Sequence, residues 1–201
     1  MNKPAITDYP VQEFIRDRWS PRAFSEKPIP PEILCSLFEA ARWAPSCNNE
    51  QPWAFVVTTK DDPEPHNRTL STLVEANRTW AQHAPVLGIA LFEQSFGFNS
   101  SPNRYASYDT GAAMANLSAE ATTRGLFVHQ MAGFDPGKAS ELFHIPNGWE
   151  PIAAFVIGYP GDPQSLPEKL RGRELGPRSR KPLSSFVMSG SWGHPANFLK
   201  S

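Results

Sequence analysis

Three groups of residues in this 201-residue chain have types and spacings suited to chemistry. Arg16, Arg18 and Arg22 surround Ser20 near the start, and Arg178, Arg180 and Lys181 follow one another near the end. Arginine offers a rigid fork of donors matched to phosphate oxygens and serine adds a hydroxyl, so the two clusters would make a phosphate clamp if folding joins them. Taken singly, each also has the composition of a solvated charged surface. The third group is Ala44-Pro45-Ser46-Cys47-Asn48-Asn49-Glu50-Gln51-Pro52-Trp53, whose amide side chains could read the donor and acceptor edge of a planar heterocycle. An Asn-rich turn capping a helix has the same composition, because Asn tolerates left-handed backbone.

Other chemistries lack their residues. There is no G-x-G-x-x-G, Walker loop, H-E-x-x-H or G-x-S-x-G. Histidines stand at 66, 83, 129, 144 and 194 with no pair at ligand spacing on one helix, so no metal site is expected. Cys35 and Cys47 form no C-x-x-C pair and are expected as free thiols. Lys plus Arg number 19 against 20 Asp plus Glu, a net charge of -1, so no global field draws nucleic acid or anionic lipid and any anion site is local. No apolar run approaches the ~18–20 residues that span a bilayer, and residues 1–10 hold no apolar leader segment. A cytoplasmic protein without nucleic-acid or membrane partners is the expectation.

The elements that must position these groups are legible as periodicities. Val11 to Arg18 reads as a short helix and Pro31 to Trp43 as a stronger one, with Pro31 in its first turn. Trp53 to Thr59 is a β-branched and aromatic strand, Thr69 to His83 a helix, and Val86 to Phe92 a second strand. Gln94 to Tyr105 is a loop of the length found over functional sites, expected as a lid or an interface. Asp109 to Arg124 is an alanine-rich helix ended by Gly125 and the candidate central helix. Leu126 to Gln130 is a short strand, Asp135-Pro136 opens a helix to Phe143, and Pro151 to Tyr159 is a last strand. Beyond Pro160, prolines recur and 7 Lys or Arg face 3 Asp or Glu, which reads as an extended basic arm. A hydrophobic content of 40%, with 13 Phe and 6 Trp, supplies the core of one domain over 1–201, a body at 10–160 and an arm at 161–201.

Arg18-Trp19-Ser20-Pro21-Arg22-Ala23-Phe24, followed by Glu39 to Ser46 running into Asn49-Glu50-Gln51-Pro52-Trp53, resembles the FMN-dependent nitroreductase family. The likeness continues through Ala84-Pro85-Val86, the Gly111 to Gly125 helix, Gly133-Phe134-Asp135, Pro151 to Gly158 and Arg178 to Leu183. The resemblance implies an α+β fold with a mostly antiparallel sheet flanked by helices, and a homodimer whose C-terminal arms are exchanged around FMN bound at the interface. By position it implies that Arg18, Ser20 and Arg180, with Arg178, hold the phosphate or ribityl end. Arg22 would lie toward the ribityl chain or the pyrimidine, and Trp19 would contribute its backbone. Pro45, Ser46, Cys47, Asn49 and Gln51 would edge the isoalloxazine bound mainly by the other subunit, while Gln130, Met131, Ala132 and Gly133 pass close to the ring.

The implied activity is reduction of nitroaromatic, quinone or related small acceptors by NADPH or NADH in ping-pong turnover. The flavin carries the chemistry, with no obligatory catalytic side chain. Phe96, Phe98 and Tyr105 would either stack on acceptors or pack at the dimer interface. Cys47 stands where the family commonly has a small or Ser-like residue, and Ala132 where some branches have glutamate. The fold also hosts dehalogenation, flavin fragmentation and azoline oxidation, and a non-catalytic flavin-binding protein is a further reading.

Overall fold

The computed structural model describes residues 3–199. Strands β1 (Trp53–Thr59), β2 (Val86–Glu93), β3 (Phe127–Met131) and β4 (Trp149–Gly158) form one antiparallel sheet in the order β1-β2-β4-β3. Successive side chains of a strand point to opposite faces. β2 accordingly sends Val86 and Ala90 one way and Leu87, Ile89 and Leu91 the other, and β4 divides Phe155 and Ile157 from Ala154 and Val156. Both central strands are apolar on both faces, so each face must be covered by other elements.

Helices α2 (Pro31–Arg42) and α5 (Ala106–Thr123) cover the first face and bury Leu37, Ala41, Ala113, Met114, Leu117 and Ala121. The small residues of α5 let α2 lie close against it. Gly88 faces Phe155 across the β2–β4 ladder, and a Cβ there would overlap the Phe155 ring, so this strand position has room only for glycine. The second face is covered by residues around Ala23 and Phe24, by Leu73, by Trp80 and Ala81 of α4 (Glu75–Ala81), and by Leu166 with Leu170 of α7 (Glu168–Leu175). Helix α1 (Glu13–Asp17) is one turn near the N-terminus, and α6 (Pro136–Leu142) packs on β4. Asp135 caps α6 by accepting from the Lys138 N–H at 2.9 Å.

Two expectations are corrected. The stretch read as one helix from Thr69 to His83 is two: α3 (Pro63–Thr72) begins earlier, and the chain breaks at Leu73 before α4. Leu73 takes extended backbone and bridges Phe134, while the Val74 N–H donates to the Gly133 carbonyl at 3.1 Å. A tertiary partner for these backbone groups outweighs helical periodicity. The segment after Pro160 is not extended throughout, because α7 forms between Pro167 and Pro177. Proline at the cap and proline after the end are compatible with a helix, so these residues bracket α7 rather than prevent it.

Candidate functional site

The two basic clusters, 160 residues apart, do meet. The Arg178 guanidinium donates from one nitrogen to the carbonyls of Lys3 (2.7 Å) and Arg16 (2.8 Å), and from another to that of Arg18 (2.7 Å). Arg18 donates to the Ser20 hydroxyl at 3.4 Å. Burial, then repulsion from Arg178 and Arg180, holds the Arg18 guanidinium below its ordinary pKa. Burial and Arg180 do the same to Arg178. Both remain charged, because arginine ordinarily titrates far above neutrality. Among the described residues neither Arg18, Arg178 nor Arg180 forms a side-chain ion pair with an acid. Asp17 offsets part of that repulsion at Arg178. Neighbouring cations, two of them partly buried, that repel one another without a direct ion pair have the electrostatic form of an anion site.

This cluster rests on β3. Trp19 meets Phe127 edge-on at 6.0 Å between ring centroids, and His129 Nδ1 lies 2.7 Å from the Pro21 carbonyl. That carbonyl only accepts, so Nδ1 carries the proton. His129 is buried against Trp80, with centroids 4.6 Å apart. Burial pushes its pKa down to about 4, against the bond to Pro21 and helped by the charges of Arg22 and Arg18. Further along, Gln130 and Ala132 are exposed, Met131 is buried, and the Gly133 carbonyl accepts from Val74 N–H and from the Asn77 amide at 3.0 Å.

The loop from Ala44 to Trp53 is strained and pinned. Asn48, Asn49 and Gln51 have φ of 54°, 57° and 53°, a left-handed region that costs an L-residue about 1 kcal/mol. Beside its own backbone turns, three bonds to or from side chains hold it: Ser46 Oγ accepts from the Gln51 N–H (3.0 Å), the Gln51 amide donates to the Asn49 carbonyl (2.9 Å), and Cys47 N–H donates to Asp109 Oδ2 (3.0 Å). Asp109 is buried in the first turn of α5. Glu50 accepts from the Gly97 N–H at 2.5 Å and so fastens the 94–105 loop to this one. In that loop Phe96 and Phe98 contact each other at 5.2 Å, and Phe98 and Tyr105 are exposed. Cys35 and Cys47 are both free thiols. Among the described residues no group of His, Cys, Asp or Glu is arranged to hold a metal, and no helix is long and apolar enough to cross a membrane.

Residues 15–159 match the sequence model of the Nitroreductase family. This chain belongs to that family. A solved structure described as an oxidoreductase containing FMN superposes with a TM-score of 0.89 at 35% identity, covering 94% of this chain and 96% of that one. A protein of Stenotrophomonas maltophilia with the provisional name NADH dehydrogenase/NAD(P)H nitroreductase is 27% identical over 78% of this chain and 87% of its own. The 5,6-dimethylbenzimidazole synthase of Rhodospirillum rubrum is 29% identical over 80% of this chain and 85% of its own.

Within this nitroreductase-family chain the site residues fall into two separate sets. Arg18, Trp19, Ser20, Arg22, Arg178 and Arg180, with Gln130 to Gly133, gather on the β3 side of the sheet. Pro45, Ser46, Cys47, Asn49 and Gln51 precede β1 at the opposite edge, and the 94–105 loop, which follows β2, is tied to them through Glu50. Three inter-strand spacings, about 14 Å, separate those edges. Among the described residues no hydrogen bond joins the two sets. Sequence reasoning missed Asn77, Asp109, His129 and Glu174, each of which fixes a main-chain group of the site. For Asp109 the available signal was an acid in the first turn of the central helix; the others carried none in their own neighbourhoods.

Proposed function

We propose that this protein is an FMN-dependent oxidoreductase that uses NADPH or NADH to reduce nitroaromatic, quinone or related small acceptors, with two FMN sites composed across a homodimer. The observation that carries the reading is the cluster of Arg18, Arg178 and Arg180, which repel one another and form no direct ion pair with an acid among the described residues, close to the Ser20 hydroxyl. A phosphate monoester fits it: a dianion relieves the mutual repulsion, and Arg18 with Ser20 and Arg180 supplies donors. Arg22 and the Gln130–Gly133 turn would flank the rest of the cofactor, and Trp19 would contribute its main chain. Bound FMN supplies hydride and electron transfer, which no side-chain set in this chain performs.

The separation of the two residue sets supports the dimer. Pro45 to Gln51 of one protomer, stiffened by its left-handed turns, would edge the ring gripped at the β3 side of its partner. Exposed apolar surface supports the same assembly: Trp43 is 76% exposed beside a groove of about 340 Å³ between α1, α2 and α5, and Trp192 and Phe198 of the arm are 90% and 76% exposed. A partner subunit would cover exposed aromatic side chains of this size. The arm would wrap the partner subunit, and the 10–160 body would stand as one domain in a cytoplasmic enzyme. Phe98 and Tyr105, on the loop latched by Glu50, would close the groove in which donor and acceptor take turns, as ping-pong kinetics requires.

The test is direct. The purified protein should be yellow, should bleach anaerobically with NADPH or NADH, should regain colour with a quinone or nitroaromatic, and should run as a dimer. A colourless protein that takes up no FMN refutes the reading, and a monomer that keeps FMN refutes the composite site. A second reading, flavin fragmentation, is favoured by the similarity to the R. rubrum synthase. Bleached protein that consumes its own flavin in oxygen, with no turnover of quinones, would select it.

A further inference from the structure

We infer that Glu174, at the end of α7, is a positioning residue of the phosphate clamp; the inference rests on the FMN reading above. Glu174 is a carboxylate with 1% of its surface exposed. Among the described residues its carboxylate forms no side-chain ion pair, and Lys3 donates instead to its main-chain carbonyl at 2.5 Å. Both carboxylate oxygens are spent on backbone. Oε1 accepts from the N–H groups of Arg22 (2.9 Å) and Ala23 (3.0 Å), and Oε2 accepts again from Arg22 at 3.0 Å. Four residues on, Arg178 donates to the carbonyls of Arg16 and Arg18. The segment from Arg16 to Ala23 is therefore gripped by its carbonyls at one end and its N–H groups at the other, by Glu174 at the end of α7 and by Arg178 just beyond it. That segment carries Arg18, Ser20 and Arg22, and alternate residues of extended chain present side chains on one side.

The same geometry divides the basic residues by task. The donors of Arg178 that the structure shows in use all face main chain, so Arg178 shares the positioning role with Glu174, and direct phosphate contact falls to Arg18, Ser20 and Arg180. A buried carboxylate beside a site for a dianion works against the ligand in Coulomb terms. Charge and position therefore make opposite predictions. If charge dominates, removing Glu174 tightens FMN; if it positions the clamp, removal loosens FMN.

Dissociation constants for FMN and riboflavin, read by flavin fluorescence on full-length protein dialysed free of flavin, separate the two. Riboflavin lacks only the phosphate, so the ratio of the two constants reports the clamp alone. In the wild type FMN should bind about 100-fold tighter or more, the effect of two charge-assisted hydrogen bonds. Glu174→Ala should shrink that ratio about tenfold; any loss through Arg22 weakens both flavins alike and cancels in the ratio. Glu174→Gln should keep most of the ratio, because a single oxygen already serves both N–H groups. Glu174→Asp, which keeps the charge but loses the reach, should behave like Glu174→Ala. If Glu174→Ala does not fold, the Gln and Asp variants still decide the matter. A retained or enlarged ratio in Glu174→Ala, or Asp outperforming Gln, overturns the positioning role while the FMN reading stands. A wild type that binds both flavins equally overturns the FMN clamp and this inference together.

Discussion

Protonation of His129 should destabilise the fold as pH falls, by an amount that the structure sets. Its imidazole is buried against Trp80, donates from Nδ1 to Pro21, and shares its surroundings with Arg18 and Arg22, so its pKa in the folded chain lies at about 4 against 6.5 when exposed. A histidine whose folded pKa is depressed contributes stability that is complete above the unfolded pKa and is lost as pH falls toward the folded one. The window is therefore pH 6.5 down to 4. The full difference is about 3 kcal/mol, and between pH 7 and pH 5 the loss is about 2 kcal/mol. Urea unfolding at both pH values, on wild type and on His129→Phe, isolates this histidine from the other titrating groups. The Phe variant should be less stable at pH 7, because the Pro21 carbonyl loses its donor, yet its stability should fall between pH 7 and 5 by about 2 kcal/mol less than that of the wild type. Equal losses in the two proteins would refute the reasoning, since the variant has no group at 129 to titrate. The loss has a place in the structure: the imidazolium would form beneath the arginine cluster, so a bound dianion should diminish it.

Two other perturbations test the supports of the site. Asp109→Ala removes the acceptor of the Cys47 N–H, and leaving a partly buried donor unpaired should cost about 1–3 kcal/mol in urea unfolding; Asp109→Asn, which keeps an accepting oxygen, should recover most of it. Gly133→Ala places a Cβ 2.6 Å from the Asn77 amide nitrogen and 2.9 Å from a Val74 methyl, so the amide must swing off the Gly133 carbonyl. A loss of about 1–3 kcal/mol, read as a lowered Tm with weakened flavin binding, is expected.

The parts of the fold that were legible in the chain are those whose signal is local. Trp53–Thr59 is a strand in the structure with the limits its β-branched run predicts, and the alanines of α5 mark a helix that others pack against closely. The break at Leu73 was not legible, because the groups that compete with helix there are the backbone of Gly133 and Phe134, some 60 residues on. Nor was α7, since a proline count says where a helix cannot continue and leaves open where an eight-residue one fits. The site divides along the same line. Arginines near a serine announce an affinity for phosphate by type alone, but type does not say where a side chain faces. Arg178 stands where the clamp was expected and gives three hydrogen bonds to main-chain carbonyls. Glu174, acidic and without any sequence signature, holds Arg22 in place from 152 residues away. A charge in the proposed site would therefore act through one of two routes, contacting the ligand or fixing the backbone of a residue that does. Only the partner at the far end of each hydrogen bond distinguishes them, and for Glu174 and Arg178 alike that partner is backbone of the Arg16–Ala23 segment. The proposed anion site would owe its geometry to two residues that are not themselves donors to it.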